Sequence, residues 1–370
     1  MKLAIISLGG KSSLSILKES KKYFKTADHI NIKDIDVQGT SEDLIVNCKN
    51  KPLDDYDCVL IRGSFRYALL QRAIAMALQD KTYLPLKPTS FTLGHDKLLT
   101  LLALQKNKVP IPTTFFTATT EKAKMILEKI NYPIILKIPS GTQGKGVMFA
   151  DSLESAKTVL DTLEVFDQPY IIQEYIETDA TDVRAIVAGQ KVIATMRRKA
   201  TAREMRANIH MGGVGEPYEL DYDLEQMAIQ SAKAVKADIC AVDILESKGK
   251  SVVIEVNLSP GLEGIQEATK KNVSAKIAKF LAKKTEESKE GKTSTGYEQL
   301  MKDLDISKVE NQEIITNLNI KAGIIKLPDI VTKITKFTPD DEVTIVLNQG
   351  RLEIKKHEIE KEEKKKKRRS

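Results

Sequence analysis

The segment that most restricts the fold is a glycine-rich loop set between two strand-like runs. Pro133-Ile134-Ile135-Leu136-Lys137-Ile138 is a short apolar run, and Val147-Met148-Phe149-Ala150 is a second. Between them lies Ser140-Gly141-Thr142-Gln143-Gly144-Lys145-Gly146. Glycines let a backbone approach phosphates closely, and successive amide N–H groups form an anion nest. A strand follows the loop, not a helix, so it is neither a Walker loop nor a Rossmann fingerprint. From these residues alone, a phosphate cradle and a tight hairpin turn both stay open. Lys137 tilts the balance, because an ammonium among apolar strand residues is costly to bury without an anion. The competing reading is a lysine that snorkels from the strand end.

Two further clusters carry chemistry. Asp243 lies in the run Cys240–Leu245, and Glu255 and Asn257 lie in the partner run Val252–Asn257. Two carboxylates and an amide oxygen on adjacent strands are hard ligands suited to Mg²⁺. Glu255 and Asn257 are two apart and so share a face. The alternative is a surface hairpin with chance acids. Ser259-Pro260-Gly261-Leu262 is expected to close this hairpin as a turn. Arg184, Arg197, Arg198, Arg203 and Arg206 form the second cluster, with Asn208 and His210 beside them. Guanidinium forks suit carboxylate or phosphate recognition, although a basic solvated loop would look similar.

The chain divides by pattern. Residues 1–88 alternate strand and helix signals, which implies a small α/β domain with a largely parallel sheet. Pro85 and Pro88 mark its end. Residues 89–283 hold the clusters described above. Residues 284–318 read as a polar linker, 319–356 as a small β domain and 357–370 as a disordered basic tail. The net charge is +7, and the last fourteen residues alone supply +3, so the body is only mildly basic. No apolar run approaches the roughly 20 residues that span a bilayer. The N-terminal apolar run is too short for a signal peptide. Cys48, Cys58 and Cys240 lack metal-ligand spacing and read as reduced packing residues of a cytoplasmic protein.

Taken in order, these stretches resemble the ATP-grasp superfamily, and within it the RimK-type glutamate (amino-acid) ligases. The matching stretches are Asp96-Lys97-Leu98, Lys137 to Val147, Gln173-Glu174-Tyr175-Ile176, Asp182-Val183-Arg184, Arg206 to Gly213, Val242-Asp243-Ile244 and Glu255 to Ile265. The resemblance covers about residues 1–283. It implies an α/β (α+β) ATP-grasp fold behind an N-terminal pre-ATP-grasp domain. It implies that Lys97 and Lys137 contact the phosphates of ATP. Ser140, Gly141, Thr142, Gln143 and Gly144 would belong to the lid, and Gln173, Glu174, Tyr175 and Ile176 to the adenine hinge. Asp182 would sit near the ribose. Asp243, Glu255 and Asn257 would hold two Mg²⁺ ions, with Mn²⁺ as a substitute. Arg184, Arg206 and Asn208 would line the substrate side. Lys145 departs from the small or apolar residue expected inside the lid.

The implied activity is that of an ATP-dependent carboxylate–amine ligase working through an acyl phosphate. L-Glutamate suits the arginine cluster as the added amino acid, and a protein, carrier or coenzyme carboxylate would accept it. The alternative from another class is a DNA-binding regulator that uses a ligase-like domain as a nucleotide or amino-acid sensor. The intact lysine and carboxylate set favours the enzyme. The segment 319–356 resembles an AbrB-type swapped hairpin, which implies a homo-oligomer (dimer or tetramer). Together with the tail it leaves a nucleic-acid partner open.

Overall fold

The computed structural model describes residues 1–49, 51–139, 146–199, 214–247, 249–293, 319–321, 324–326, 335, 338, 341–348 and 351–356. Two compact units emerge, Met1–Gln299 and Leu300–Ser370.

The first unit opens with β1 (Lys2–Ser7), α1 (Lys11–Ser20) and β2 (Thr26–Asn31). A side sheet of β3 (Ile35–Gly39), β4 (Leu44–Cys48) and β5 (Lys51–Pro52) follows, and the chain returns through β6 (Cys58–Ile61). β1 lies between β2 and β6 and is parallel to both, as the alternating strand and helix signals imply. The antiparallel side sheet was not legible in the sequence. Three helices follow: α2 (Ala68–Leu78), α3 (Pro88–Gly94) and α4 (Lys97–Lys106). Asp96 caps α4 by accepting a bond of 2.9 Å from the Leu99 amide. That cap sets Lys97 at the first helical position.

A four-stranded antiparallel sheet comes next, in the order β7 (Thr114–Phe115), β10 (Ile171–Glu174), β8 (Ile134–Lys137), β9 (Val147–Ala150). α5 (Thr120–Leu127) and α6 (Leu153–Val165) cover one face. A five-stranded antiparallel sheet completes the body. It is ordered β13 (Val214–Pro217), β12 (Lys191–Lys199), β11 (Thr181–Ala188), β14 (Ile239–Ser247), β15 (Lys250–Asn257). α7 (Tyr222–Ala234) packs on the face that carries Val183, Ala185, Val187, Val242 and Ile244. The opposite face presents Ile186, Ala194, Ile239 and Ala241, and is covered by α8 (Glu263–Thr269) and α9 (Val273–Thr293). Gly189 turns the β11–β12 hairpin at φ +64°, and a Cβ there would lie 2.7 Å from the Phe280 ring of α9. Conformation and space both demand glycine at this position.

Two expectations need correction. The anticipated linker does not begin at 284, because α9 runs on to Thr293. Val273, Ile277, Leu281 and Thr285 recur every fourth residue and are fully buried, so the apolar stripe carries the helix past the polar composition. Ser259–Leu262 does not close the β14–β15 hairpin, whose register ends at Ser247 opposite Lys250. It leads instead into α8. Cys58 and Cys240 are buried and free, with burial pushing both thiols up to about 12. No helix among the described residues is long and apolar enough to cross a membrane.

In the second unit, β16 (Asn319–Lys321) pairs with β17 (Ile324–Lys326), and β18 (Val343–Asn348) pairs with β19 (Arg351–Lys356). The tail 357–370 and most of the linker lie outside the described residues. The β18–β19 hairpin leaves Ile345, Leu347 and Leu352 exposed, Leu347 at 72%. A two-stranded ribbon with a bare apolar face is marginal alone. Truncation after Gln299 is therefore expected to leave the melting temperature of the body within a few degrees of the full chain and to lower the oligomeric state. Light scattering that finds the same particle mass per chain for both forms would refute a self-associating second unit.

Candidate active site

The two larger sheets of the body meet along a slot. It is walled by Ile135, Val147 and Phe149 on one side, Leu245 and Ile254 on the other, and Tyr175–Ile176 at the hinge. Lys137 and Gln173 lie at its inner end. The Lys137 ammonium donates to Gln173 Oε1 at 2.5 Å, and Gln173 Nε2 donates to Thr114 Oγ1 at 3.0 Å, so the lysine is held by a fixed amide. Burial lowers the Lys137 pKa to about 8, against the pull of Glu255 and with help from Lys97. Lys97 reaches the Pro139 carbonyl at 3.4 Å, and its pKa is also lowered by burial, opposed by Glu255 and Asp96. Both lysines therefore sit in the field of one carboxylate.

The Glu174 side chain serves the hinge itself. It accepts from the Thr113 amide at 2.7 Å and pairs with Lys250. Tyr175 meets Phe149 edge to face, with ring centroids 5.4 Å apart. The slot offers about 70 Å³. That is well below the several hundred Å³ usual for a ligand pocket, so these rings must part to admit a purine.

The five-stranded sheet organises the charges. On β11, Asp182 and Arg184 continue the face that begins with Ile186, so an apolar face turns ionic along a single strand. Strand register sets Asp182 opposite Arg198, Arg184 opposite Asp243, and Asp243 opposite Glu255. Arg184 grips Asp243 through Nε at 2.8 Å and a terminal nitrogen at 2.7 Å. Arg198 takes Asp182 through Nε at 2.9 Å and a terminal nitrogen, and also reaches Asp243 at 3.0 Å. Burial works against both guanidinium charges, but Asp243 outweighs it, and both pKa values stand above the ordinary value. A bulge after Asp243 leaves Ile254 without a direct partner, and Ile254 lines both the slot and the adjoining cavity.

That cavity encloses about 640 Å³ and is lined by Lys97, Arg184, Arg198, Glu255 and Asn257, with residues of the N-terminal domain opposite. Glu255 and Asn257 suit a divalent cation as hard oxygen donors on one strand face. Asp243 shares their row, but three hydrogen-bond positions on its carboxylate go to arginines, so a cation would have to share it. Neither Asp182 nor Asp243 is among the residues lining the cavity or the slot. Among the described residues, no three His, Cys, Asp or Glu side chains cluster as a ready metal centre. Ser140, Gly141, Thr142, Gln143, Gly144 and Lys145, and Arg203, Arg206, Asn208 and His210, lie outside the described residues. Arg198, one member of the arginine cluster, carries no local sequence signal for its pairing. Pairing β11 with β12 around Gly189 would have set it against Asp182.

Two sheets closing on a slot, with half-buried Lys137 at its inner end and Lys97 with a carboxylate–amide pair on the adjoining cavity wall, define an ATP-grasp enzyme. Comparison agrees: residues 94–281 match the model of the RimK-like ATP-grasp domain. A protein of Mannheimia succiniciproducens named "Probable alpha-L-glutamate ligase" is 36% identical over 234 residues, covering 63% of this chain and 78% of that one. A protein of Marinomonas sp. with the same name is 31% identical over 288 residues, covering 76% and 96%. The chain belongs to the RimK-like ATP-grasp family and is an ATP-dependent carbon–nitrogen ligase. Two solved structures share the fold. The RimK domain ATP-grasp protein of Sphaerobacter thermophilus has TM-score 0.59 and 18% identity, covering 76% of this chain and 99% of that one. The ATP-grasp ligase PsnB, complexed with a minimal precursor, Mg and ADP, has TM-score 0.60 and 16% identity, covering 77% and 98%.

Two outcomes follow from this geometry. Asp243→Asn strips the charge that two buried guanidiniums share, so it should destabilise the fold by about 3 kcal/mol. Glu255→Gln, on the half-buried cavity wall, should leave the melting temperature nearly unchanged, and equal losses in calorimetry would contradict the division of roles. In the free protein, Lys137 loses its proton as pH rises through about 8. ATP binding should therefore weaken between about pH 7 and 9, and this extra weakening should be absent in Lys137→Met, as nucleotide titrations across that range would show.

Proposed function

We propose that this ligase adds L-glutamate to a carboxylate of a protein, carrier or coenzyme acceptor. The observation that carries the reading is the convergence of Lys97 and Lys137 on Glu255, with Lys137 in the slot and the other two on the wall of the larger cavity. Cationic groups beside a carboxylate–amide pair suit a nucleotide triphosphate with its cation, and the cavity next door suits the two organic substrates. The names of the relatives support glutamate as the added amino acid.

In this reading adenine enters between Phe149, Tyr175, Leu245 and Ile254, with the hinge backbone at Glu174–Ile176 reading its edge; Asp182, buried against Arg198, supports this wall rather than meeting the ribose. Lys97 and Lys137 hold the β- and γ-phosphates. Glu255 and Asn257, with Asp243 shared among the arginines, would hold Mg²⁺, which neutralises phosphate charge when bound. The acceptor carboxylate attacks the γ-phosphorus, an O–P bond forms, the bridging P–O bond breaks and ADP leaves. The amine of glutamate then attacks the acyl carbon. Arg184, which lines the cavity, is suited to stabilise the oxyanion before phosphate departs. Water exclusion protects the acyl phosphate.

The test is ADP release with ATP, Mg²⁺, L-glutamate and a panel of acceptors ending in carboxylates, followed by mass spectrometry. A product heavier by a glutamyl residue is expected. Glu255→Gln should cut the rate at least ~100-fold, because a direct ligand outweighs the 10- to 100-fold that outer-shell partners cost. Turnover with neutral amino acids but not with glutamate would overturn the substrate assignment.

A further inference from the structure

The N-terminal wall of the large cavity holds a cation that the ligase chemistry above leaves unused. Arg62 follows β6 directly, and its backbone amide is pinned to the Ile6 carbonyl at 2.8 Å. Its side chain is only 4% exposed and lines the cavity. Nε donates to Ser13 Oγ at 3.1 Å, one terminal nitrogen donates to the Pro260 carbonyl at 2.7 Å, and the other terminal nitrogen is buried with no partner. Among the described residues, no carboxylate hydrogen-bonds to this guanidinium. Glu263 acts on it only through its field, since the Glu263 carboxylate accepts from Ser12 Oγ at 2.9 Å. Burial lowers the Arg62 pKa to about 10, so the group stays charged at neutral pH while lacking a full counterion. A buried arginine with one terminal nitrogen unpaired is expensive unless an anion completes it.

The helix beside it points the same way. α1 runs ten residues from Lys11, and its cap, Gly10, has no side chain to take up the amides of the first turn. Gly10, Lys11, Ser12 and Ser13 all line the cavity with Arg62. The positive end of a helix dipole and the Arg62 side chain thus border one space.

We propose that Arg62 and the N-terminus of α1 form the subsite for the non-reacting carboxylate of the amino acid whose amine attacks. The inference rests on the ligase reading. The carboxylate that is activated must meet the γ-phosphate by Lys97, Lys137 and Glu255, whereas Arg62 stands at the end of β6 in the N-terminal sheet and bonds to the loop after β15. A carboxylate at Arg62 is therefore one that does not react, and an attacking α-amino acid always brings one beside its amine. The cavity volume of about 640 Å³ falls in the range of small-molecule sites and leaves room for both substrates.

The experiment is calorimetric binding of L-glutamate to the full chain, with Mg²⁺ and a non-hydrolysable ATP analogue present. Arg62→Gln should weaken L-glutamate roughly 10- to 100-fold, the range of a lost charge-assisted pair, with analogue affinity unchanged. Wild-type protein should lose a comparable factor toward one of two monoamides, L-glutamine or L-isoglutamine. A folded Arg62→Gln variant that binds L-glutamate like wild type overturns the subsite, as does wild type that binds both monoamides as tightly as L-glutamate. If the variant does not fold, the monoamides decide. Intact analogue binding and acceptor-dependent ADP release alongside either negative result leave the ligase reading standing, whereas loss of both in wild type counts against that reading itself.

Discussion

The body of this enzyme depends on how Asp243 is neutralised. The residue is fully buried in the middle of the five-stranded sheet, where an isolated carboxylate could not remain charged. Arg184 from β11 and Arg198 from β12 close on it, and Asp182 balances the second guanidinium. Three neighbouring strands are thereby tied in one register, because a slip of one residue would turn every charge to the opposite, apolar face. A buried ion network of this kind adds little net stability over a packed apolar core, but removing one member is costly. Its structural consequence is a rigid back wall, from which Arg184, Glu255 and Asn257 reach the cavity.

Much of this was legible in the sequence, and the reasons are specific. Asp243, Glu255 and Asn257 stood out because hard oxygen ligands interrupt strands that are otherwise apolar. Lys137 stood out for the same reason, and its observed anchor on Gln173 shows why an ammonium survives there. The parallel N-terminal sheet followed from alternating strand and helix signals. Other features depended on register or on distant parts of the chain. Arg198 looked like one more basic residue until hairpin pairing set it opposite Asp182. Arg62 carried no local signal, since its partners, Ser13 and Pro260, lie 49 and 198 positions away. The extension of α9 was hidden by a Lys- and Glu-rich composition that masks a stripe with one buried residue per turn.

The same long-range contacts bear on the domain division. Pro85 and Pro88 mark a plausible boundary in composition, yet the N-terminal domain is stitched to the loop after β15. Arg62 bonds to Pro260, the Gly63 amide to Ser259 Oγ, and the Leu262 amide to Ser12 Oγ. Asn257 takes part as well, accepting from the Ser259 amide at 3.0 Å. The amide that would help hold a cation therefore also orders the loop that carries Arg62's partner. The cavity wall that carries Asn257 and the wall that carries Arg62 share one short segment, 257–263, as a common support.

This arrangement gives the two cavities different tasks. The slot between the sheets is small and apolar, gated by the Phe149–Tyr175 contact, and has to open for a purine. The neighbouring cavity is already of ligand size and is charged on both walls. In such a system the nucleotide's binding energy must cover the separation of the slot walls, while the amino acid meets a site whose main elements are fixed by buried hydrogen bonds. Ile254 belongs to both spaces, set there by the bulge after Asp243. Movement of the slot walls on nucleotide entry thus acts directly on the strand that carries Glu255, so opening of the slot is coupled mechanically to the wall of the neighbouring cavity.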